Sequence, residues 1–392
     1  MTRLWLVPVL CAAACSSSPS APVCAAERAR TVPIGLEDVT FPVGPYLGHT
    51  TATTVAVGWE TAAAGSTDLE YGPDAAYGLT ATGPAGTMHQ LVVSGLAPAT
   101  VYHYRACTDG VCTADLTFST TPERGQPFHF AVMADSQDNP DIVHTNVENM
   151  LLEQPIVVLV AGDIVGDGNV REQFKERFFD PARRLLHYLP IYVAAGNHEQ
   201  SQPLLENFRD YLMFPIDPAD PHETSYTAVW GDAFFLAVDT NDINFSPIIS
   251  ERAPLWQWIT RQVASPAARA ARWRFAFMHY PPDSRCFPSL EYPSTAVKDY
   301  VVPLLREHGF HALFGGHEHN YERLDYDGFA AFITGGGGGG LETPEACVRD
   351  VPESKAFAAV HHHLAVALDC DRAVVRAVGL DGVAFDEHVI AP

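Results

Sequence analysis

Five apolar runs along the chain each end in side chains that can bind a metal ion. The runs and their last residues are FHFAVMAD with Asp135, IVVLVAGD with Asp163, LPIYVAAGNH with Asn197 and His198, RWRFAFMH with His279, and HALFGGHEH with His317 and His319. Such runs, bounded by Gly, Pro and polar clusters, are typical of strands that are buried on both faces. The functional groups of α/β sheets lie just past the carboxyl ends of these strands. One Asp or His there is usually a turn former or a helix N-cap, but five in succession indicate a metal site.

The hydrophobic pattern divides the chain at about residue 125. Before it, the segments TTVAVGWE, TDLEYG, HQLVVSGL, TVYHYRAC and DLTFSTT alternate apolar and polar residues between Gly, Pro and Asp turns. This spacing predicts separate short strands and a small β-sandwich over residues 39–122. We expect this region to be a rigid spacer or a docking module.

Residues 126–392 are predicted to form a larger domain in which strands alternate with helices. FKERFFDPARRLLHYL and APLWQWITRQVA have the 3.6-residue periodicity of amphipathic helices. After the last histidine-bearing run, the segments FAAFITG, HHLAVALDC, AVVRAVGL and VAFDEHV predict the strands of a second sheet.

The composition fits this organisation, because a chain of 392 residues exceeds the roughly 250–300 residues at which single cores stop growing. Hydrophobic residues make up 47% and charged residues 18%, which is typical of a globular protein. The formal net charge of −23 argues against nucleic-acid binding, since that needs a basic surface. The charge fits a soluble exported protein.

Residues 1–26 have one Arg, a short apolar run and then small residues, which predicts a secretion signal rather than a membrane span. The stretch AAACSSS resembles a bacterial lipoprotein cleavage site, at which Cys15 would carry the lipid. Ordinary cleavage, as late as Ala26, is the alternative. We therefore expect an exported bacterial protein that is periplasmic or at the cell surface, where it meets a membrane only through this anchor, and that is otherwise secreted. Residues 27–38 are predicted to be a linker.

The cysteines fit an oxidising compartment. Cys107 and Cys112 flank a turn sequence and are predicted to close a hairpin as a disulfide. We pair Cys286 with Cys347 because both follow the metal-binding runs in predicted loops, although spacing alone leaves the pairing of Cys24, Cys286, Cys347 and Cys370 open. The chain has no CxxC motif, which argues against a thiolate zinc site.

The order and spacing of the metal-binding candidates resemble those of the calcineurin-like metallophosphoesterases. The residues that carry this resemblance are Asp135, Gly162-Asp163, Gly196-Asn197-His198-Glu199, His279 and Gly316-His317-Glu318-His319. The run GHEHNYER at residues 316–323 and the preceding β-rich region are similar to the purple acid phosphatase branch. Within that region, LAPATVYHY resembles the corner of a fibronectin type III-like domain, where a Tyr hydroxyl ties a loop down. The resemblance covers residues 40–392. It implies an α/β (α+β) metallophosphatase fold with two packed mixed β-sheets flanked by helices, preceded by a small all-β sandwich domain.

The resemblance also implies two metal ions bound at one centre. Asp163 would bridge the ions; Asp135 and His319 would complete the shell of the first, and Asn197, His279 and His317 would bind the second. Two cations about 3.5–4 Å apart lower the pKa of a shared water and neutralise charge on a phosphate group. Ligation by oxygen and imidazole suits Fe, Mn or Zn.

Other residues of the motifs are expected to act beside the metals. By resemblance, His198 would hydrogen-bond the phosphate and protonate the leaving oxygen, and a purely structural histidine is the alternative. Glu199 and Glu318 would orient neighbouring groups. The glycines 335–340 would let loops approach the site, or would form a flexible linker. His361, His362 and His363 are predicted to start a strand rather than to bind metal. His222 and Arg323 are further candidates for substrate contact.

The sequence departs from the purple acid phosphatase pattern at two positions. Gly166 stands where that branch carries the Tyr that gives its colour, so we expect no purple chromophore and no strong stabilisation of Fe(III). Gln137 stands where many relatives carry a His. Gln137 would bind the first metal more weakly than imidazole does, through its carbonyl oxygen.

Hydrolysis of a small phosphomonoester by metal-bound hydroxide is the activity that the resemblance favours. Phosphodiester hydrolysis with the same metal core is the alternative, and the loops at residues 239–251 and 281–295 are expected to decide between the two. An exported binding protein with a degenerate metal site is a further alternative, which Gln137 and Gly166 favour.

Overall fold

The computed structural model of the chain describes residues 33–200, 205–214, 224–241, 253–286 and 292–392. Several predicted features lie wholly or partly outside the described residues: the signal 1–26 with Cys15, Cys24, the first half of the linker 27–38, His222, and parts of the loops 239–251 and 281–295. Among the helices that are described, none has both the length and the hydropathy that a membrane span needs.

The N-terminal region is rich in β-structure, with six hydrogen-bonded strands. They are β1 (Val43–Thr50), β2 (Thr54–Gly72), β3 (Leu79–Ser94), β4 (Val101–Thr108), β5 (Val111–Cys112) and β6 (Leu116–Ser119). The prediction of two separate strands at residues 53–60 and 67–72 was wrong, because β2 runs through both. The intervening residues contain no proline, and register shifts on either side of Gly65 absorb the bend within the strand.

Two local predictions for this region are confirmed. The hydroxyl of Tyr102 accepts the backbone N–H of Ala97 at 2.9 Å, which ties down the corner before β4. Cys107 and Cys112 form a disulfide that closes the β4–β5 turn. The assignment of the region to the fibronectin type III-like fold, and the boundaries 39–122 and 126–392, stay predictions.

The rest of the chain contains two mixed sheets, as expected of a metallophosphatase fold. One has the order β10-β11-β12-β13-β15-β14-β16 and the other β19-β18-β17-β7-β8-β9. The strands are β7 (Phe128–Met133), β8 (Val157–Val160), β9 (Ile191–Val193), β10 (Tyr226–Trp230), β11 (Ala233–Val238), β12 (Trp273–Met278), β13 (Ala312–Gly315), β14 (Tyr321–Tyr326), β15 (Phe329–Thr334), β16 (Ser354–Ala358), β17 (His362–Leu368), β18 (Ala373–Gly379) and β19 (Ala384–Ile390). In the first sheet the neighbouring strands β11, β12, β13 and β15 are parallel, and β10, β14 and β16 pair antiparallel. In the second sheet β7, β8 and β9 are parallel, and β17, β18 and β19 pair antiparallel on the other side of β7.

The predicted grouping of the last four strands was wrong in one respect. β15, predicted to belong with β17, β18 and β19, pairs in parallel with β13 and forms a hairpin with β14. The hairpin turns at Asp327 and Gly328, which both have positive φ. Of these four strands, β17, β18 and β19 join the sheet of β7.

Helices cover the sheets and connect their parallel strands. Within the described residues they are α1 (Pro140–Leu152), α2 (Arg171–Gln173), α3 (Asp180–Tyr188), α4 (Glu206–Tyr211), α5 (Pro254–Val263), α6 (Pro266–Ala270), α7 (Tyr292–Ala296) and α8 (Val302–Glu307). A π-helical segment, Phe174–Phe179, joins α2 to α3, and another, Val297–Val301, joins α7 to α8. The amphipathic pattern predicted both helical regions at residues 174–189 and 253–264, but it did not predict the wider turns.

Aromatic side chains hold the two sheets face to face. The ring of Phe130 on β7 lies 5.2 Å from that of Phe235 on β11, 5.6 Å from that of Phe275 on β12 and 6.0 Å from that of Phe314 on β13. All four rings belong to one buried cluster, and aromatic pairs at such distances add about 0.5–1.5 kcal/mol each beyond their burial. This packing brings the carboxyl ends of strands from both sheets to one edge of the molecule.

Two buried histidines of β17 make the fold sensitive to acid. Burial lowers the pKa of His362 to about 4 and that of His363 to about 3. Both values lie below the ordinary pKa of about 6.5, so the unfolded chain takes up these protons first. Their contribution to stability is therefore complete above pH 6.5 and is lost as the pH falls from there towards 4.

We expect the free energy of unfolding to fall by about 1.4 kcal/mol per pH unit for each of these histidines between pH 6 and pH 4. His363→Asn should remove one such contribution, because Asn does not titrate and can still donate to Asn146 Oδ1, which the Nδ1 of His363 contacts at 2.8 Å. Urea unfolding of both proteins at pH 7, 6, 5 and 4 measures the difference. An unchanged slope in His363→Asn would contradict this account.

Candidate metal centre

Three of the candidate ligands are held in left-handed backbone conformations. Asp135, Asp163 and His317 have φ values of 58°, 53° and 72°. Each such non-glycine residue costs on the order of 1–3 kcal/mol, and such strain collects at functional sites. The strand ends support one another, since the N–H of Asp135 donates to Gly162 O at 3.0 Å and that of Ser136 donates to Asp163 O at 2.9 Å.

Four side chains from both sheets converge on one point. Asn197 Oδ1 lies 2.8 Å from His279 Nε2 and 2.9 Å from His317 Nδ1, and these two nitrogens are 3.2 Å apart. The carboxylate of Asp163 lies 3.1 Å from the same His279 nitrogen. Asp163, His279 and His317 thus place one ligand atom each within 4.8 Å of one another.

The pKa values of the two histidines in this group indicate that it favours a bound cation. His279 Nδ1 donates to Ala161 O at 3.0 Å, so a neutral His279 turns the lone pair of Nε2 towards Asn197 and Asp163. Burial opposes charge on this imidazole, but the carboxylates of Asp163 and Asp135 outweigh burial and raise the pKa of His279 to about 10. The same burial, together with the charge of His279, lowers the pKa of His317 to about 3. The site therefore attracts a positive charge at the point where the lone pairs meet.

A second group of candidates lies beside the first. His319 Nε2 is 3.6 Å from Asp135 Oδ1, and the ring is oriented by its Nδ1, which donates to Gly340 O at 2.7 Å. The amide nitrogen of Gln137 contacts His319 Nε2 at 3.1 Å. The amide oxygen of Gln137 is buried and has no hydrogen-bond partner among the described residues. That oxygen is an available ligand atom next to Asp135 and His319.

Glu199 and Glu318 lie where groups that orient the site are expected. The buried carboxylate of Glu199 accepts the N–H groups of Asp163, Ile164 and Gly196 at 2.9, 2.8 and 2.7 Å. Burial and the charge of Asp163 raise the pKa of Glu199. Glu318 is also buried, and its backbone N–H donates to Gly316 O. The part that the carboxylate of Glu318 plays stays a prediction.

His198 faces solvent at the mouth of the centre. Its side chain is 41% exposed, in contrast to the buried Asp163, whose Oδ2 lies 3.9 Å from His198 Nε2. His198 Nδ1 contacts Gly166 O at 2.7 Å, which orients the ring. Partial burial lowers the pKa of His198, but the charge of Asp163 and the bond to Gly166 outweigh burial and raise it. The raised pKa thus favours the protonated form of the His198 imidazole.

The glycine run 335–340 is a packed wall of the centre rather than a flexible linker. The N–H of Gly337 donates to Ala134 O at 3.0 Å and that of Gly339 donates to Asp135 O at 2.7 Å. A Cβ added at Gly339 would lie 2.6 Å from the ring of His319, and one at Gly335 would lie 2.1 Å from Glu318 O. Side chains are excluded at these positions because the backbone itself touches the ligands.

The remaining candidates lie outside the centre. The predicted strand start at the histidine run is confirmed, because β17 begins at His362. His361 Nδ1 donates to Gly336 O and His362 Nδ1 to Val360 O, so the run is oriented by backbone rather than by a shared ligand. Arg323 pairs with Asp386 at 2.7 Å, and its contact with substrate stays a prediction.

Sequence reasoning missed Asn241 as a residue of this region. Its side-chain nitrogen donates to Ala195 O and Gly196 O, both at 3.1 Å, and so braces the turn that carries Asn197. The signal was present, since Asn241 follows the apolar run AFFLAV of β11 just as the other candidates follow theirs.

The chain was compared with known proteins. Residues 128–321 match the family model of the calcineurin-like phosphoesterases. Purple acid phosphatase 23 of Arabidopsis thaliana is 24% identical over 317 residues, which cover 68% of this chain and 66% of the relative. Probable purple acid phosphatase 20 of the same plant is 24% identical over 354 residues, covering 83% of this chain and 81% of the relative.

Solved structures give the same fold. The purple acid phosphatase PPD1 from yellow lupin (Lupinus luteus) seeds superimposes with a TM-score of 0.74 at 17% identity, covering 91% of this chain and 74% of that one. A structure of PhoD superimposes with a TM-score of 0.67 at 13% identity, covering 90% and 89%. The resemblance that the sequence motifs predicted is confirmed.

The match, the fold and the convergent ligands together support a phosphoester hydrolase of the metallophosphatase class. Within this class the chain carries a calcineurin-like phosphoesterase domain, and its homologues are purple acid phosphatases.

Substitution of one glycine of the wall should have a much larger effect than substitution of its neighbour. Gly339→Ala places a Cβ against the ring of His319, whereas a Cβ at Gly340 meets no atom within 4 Å. We expect Gly339→Ala to lower the free energy of unfolding by about 1–3 kcal/mol, as overpacking does, and Gly340→Ala to change it by less than about 0.5 kcal/mol. Urea unfolding at pH 7 measures both, and equal effects would argue against a rigid wall.

Proposed function

We propose that this protein is a metal-dependent phosphomonoesterase that holds two ions of Fe, Mn or Zn and acts on small phosphate esters. The observation that carries the proposal is the convergence of His279 Nε2 and His317 Nδ1 on Asn197 Oδ1, beside the carboxylate of Asp163. These three nitrogen and oxygen atoms lie at hydrogen-bond distance from one another, but few protons are available to form hydrogen bonds among them. A cation between the three atoms would stabilise this arrangement. The family match supports phosphate esters as the substrate class.

The residues present fit two ions. Asn197, His279 and His317 would hold one of them, and Asp135 and His319 would hold the other together with the unpartnered oxygen of Gln137. Asp163, whose Oδ2 lies 3.1 Å from His279 Nε2, would serve both ions. Such ions supply a nucleophile from water near neutral pH and neutralise the charge of the phosphate.

The side chains of the chain itself position and protonate the substrate. Asn197 contributes a neutral oxygen, which limits the negative charge that an anionic ester meets. Glu199 fixes the backbone of Asp163 and Gly196, so that ligands from β8 and from the loop after β9 keep one relative position. His198, exposed and favoured in its charged form, would donate the proton of Nε2 to the departing oxygen.

The two departures from the purple acid phosphatase pattern bear on the metal rather than on the reaction. Residue 166 is a glycine whose N–H donates to Gln173 Oε1 at 3.0 Å, so no phenolate is supplied from this position. We therefore expect a protein without a purple chromophore. Gln137 offers an amide oxygen in place of imidazole, which favours a weaker first site.

An exported location is part of the proposal. The disulfides Cys107–Cys112 and Cys286–Cys347 support an oxidising compartment, and Cys370 is disulfide-bonded as well. Lipidation at Cys15 would then hold the enzyme at the cell surface or in the periplasm. The same metal core would also serve a phosphodiesterase, and the following comparison of two esters separates these activities.

Metal-reconstituted protein should hydrolyse p-nitrophenyl phosphate faster than bis(p-nitrophenyl) phosphate. Asp163→Asn should abolish turnover and lower the metal content from two ions per chain to at most one, because the amide cannot bridge as a carboxylate does. Release of p-nitrophenol and elemental analysis measure the two effects. Faster turnover of the bis-ester would indicate a phosphodiesterase, and no metal-dependent turnover of either would indicate a binding protein with a degenerate site.

His198→Gln should reduce turnover of glycerol phosphate about 100-fold or more and that of p-nitrophenyl phosphate much less, since a poor leaving group needs the general acid most. Metal content should not change, because His198 is not one of the candidate metal ligands and its Nε2 lies 3.9 Å from Asp163 Oδ2. Steady-state kinetics with both esters, together with elemental analysis, make the measurement. An equal loss on both esters would point to a structural role for His198.

A further inference from the structure

An apolar groove of about 490 Å³ lies beside the glycine wall. Its apolar sides include Leu341, Val360, Val383 and Phe385, and its titratable side chains are His361 and Asp381. Val360, Val383 and Phe385 are 38%, 60% and 41% exposed. Neighbouring exposed apolar side chains around a concave surface mark a binding site, and this volume is in the range of sites for small molecules.

The groove is joined to the metal centre through the backbone of the glycine wall. His319 Nδ1 donates to Gly340 O at 2.7 Å, and the next residue, Leu341, lines the groove. His361, which also lines the groove, donates from Nδ1 to Gly336 O at 3.3 Å. The glycine segment therefore contacts both a candidate metal ligand, His319, and a groove residue, His361.

Aromatic packing makes a second connection. The ring of Phe385 meets that of Tyr321 edge to face at 5.2 Å, and it lies 5.8 Å from the ring of His362. Tyr321 begins β14 only two residues after His319. The position of Phe385 is thus fixed by the same strand that follows the GHEH motif.

The lining indicates the chemistry of the ligand. None of the described residues that line the groove is Lys or Arg, so a phosphate group has no counter-charge there. The carboxylate of Asp381 accepts the N–H of Val383 at 3.0 Å within its own turn. What remains is an apolar surface beside the glycine segment that contacts His319, close to the centre that would hold the phosphate.

We infer that this groove binds the apolar part of the substrate, an aryl or alkyl group esterified to the phosphate that the metal centre holds. The inference rests on the proposed function and deepens it, because it selects phosphate esters of apolar alcohols over those of polar alcohols. Burial of an aromatic group in such a groove favours these esters through the hydrophobic effect.

The test compares two variants that add the same charge, one at Val383, directly before β19, and one at Val389 within β19. Val383→Asp puts a carboxylate into the groove, whereas Val389→Asp puts one on β19 outside it, at a position that is 54% exposed. We expect kcat/KM for 1-naphthyl phosphate to fall about tenfold in Val383→Asp, while that for glycerol phosphate stays within about twofold. Val389→Asp should change neither value. Binding of 1-naphthylmethylphosphonate, which is not hydrolysed, should weaken in parallel in calorimetry.

The outcomes separate the groove from the proposed function. Equal effects of Val383→Asp on both esters would overturn the inference while leaving phosphatase activity in place. If neither ester is hydrolysed by the parent protein, the proposed function fails and phosphonate binding decides: about tenfold weaker binding to Val383→Asp supports the groove, and equal binding overturns it. A dimer that Val383→Asp dissociates without a change in kinetics would show that a second copy of the chain occupies the groove, and would also overturn the inference.

Discussion

The buried carboxylate of Glu199 is the interaction on which the rest of the metal centre depends. It accepts N–H groups from the turn after β8, at Asp163 and Ile164, and from the turn after β9, at Gly196. A buried charge is costly unless donors surround it, and here the donors are the backbone of the two loops that carry ligands. The loops are in this way fixed to one another before any metal binds. The left-handed conformation of Asp163 persists because Glu199 holds the N–H groups on both sides of it.

The centre is also a product of how the sheets meet. Asp135, Asp163 and Asn197 follow strands of one sheet, whereas His279 and His317 follow strands of the other. Neither sheet alone contains enough ligands, so the distance between ligands depends on the aromatic contacts of Phe130 across the interface. Rigid packing far from solvent thereby sets the geometry of a solvent-facing site.

Local chemistry made much of this structure predictable. Apolar runs such as IVVLVAGD gave the buried strands because burial on both faces needs continuous hydrophobicity, and Cys107 and Cys112 gave their disulfide because a turn separates them. The position of β15 was not predictable in the same way. Its sequence fits a buried strand in either sheet. The strand joins the sheet of β13 through parallel pairing over four residue pairs, such as Ala312 with Ala330.

The candidate site was likewise predictable only in part. Ligand types and their order are written in the motifs, whereas the orientation of each ring depends on distant carbonyl groups, as at Ala161 for His279 and Gly340 for His319. Asn241 was missed because its partners are backbone atoms more than 40 residues away, at Ala195 and Gly196. The continuity of β2 was missed because bulges near Gly65 bend a strand that sequence patterns divide.

The N-terminal β-rich region shares its core with the phosphoesterase domain. Buried side chains of β1, such as Val43 and Leu47, belong to the same hydrophobic cluster as Leu185 of α3, and the hydroxyl of Tyr104 donates to His187 O at 2.6 Å. The two parts therefore share one hydrophobic core and do not form separate cores. Evolution cannot exchange the N-terminal part as a free module without also redesigning the helix beneath it, and a recombinant phosphoesterase domain without that part would expose a wide apolar face to water.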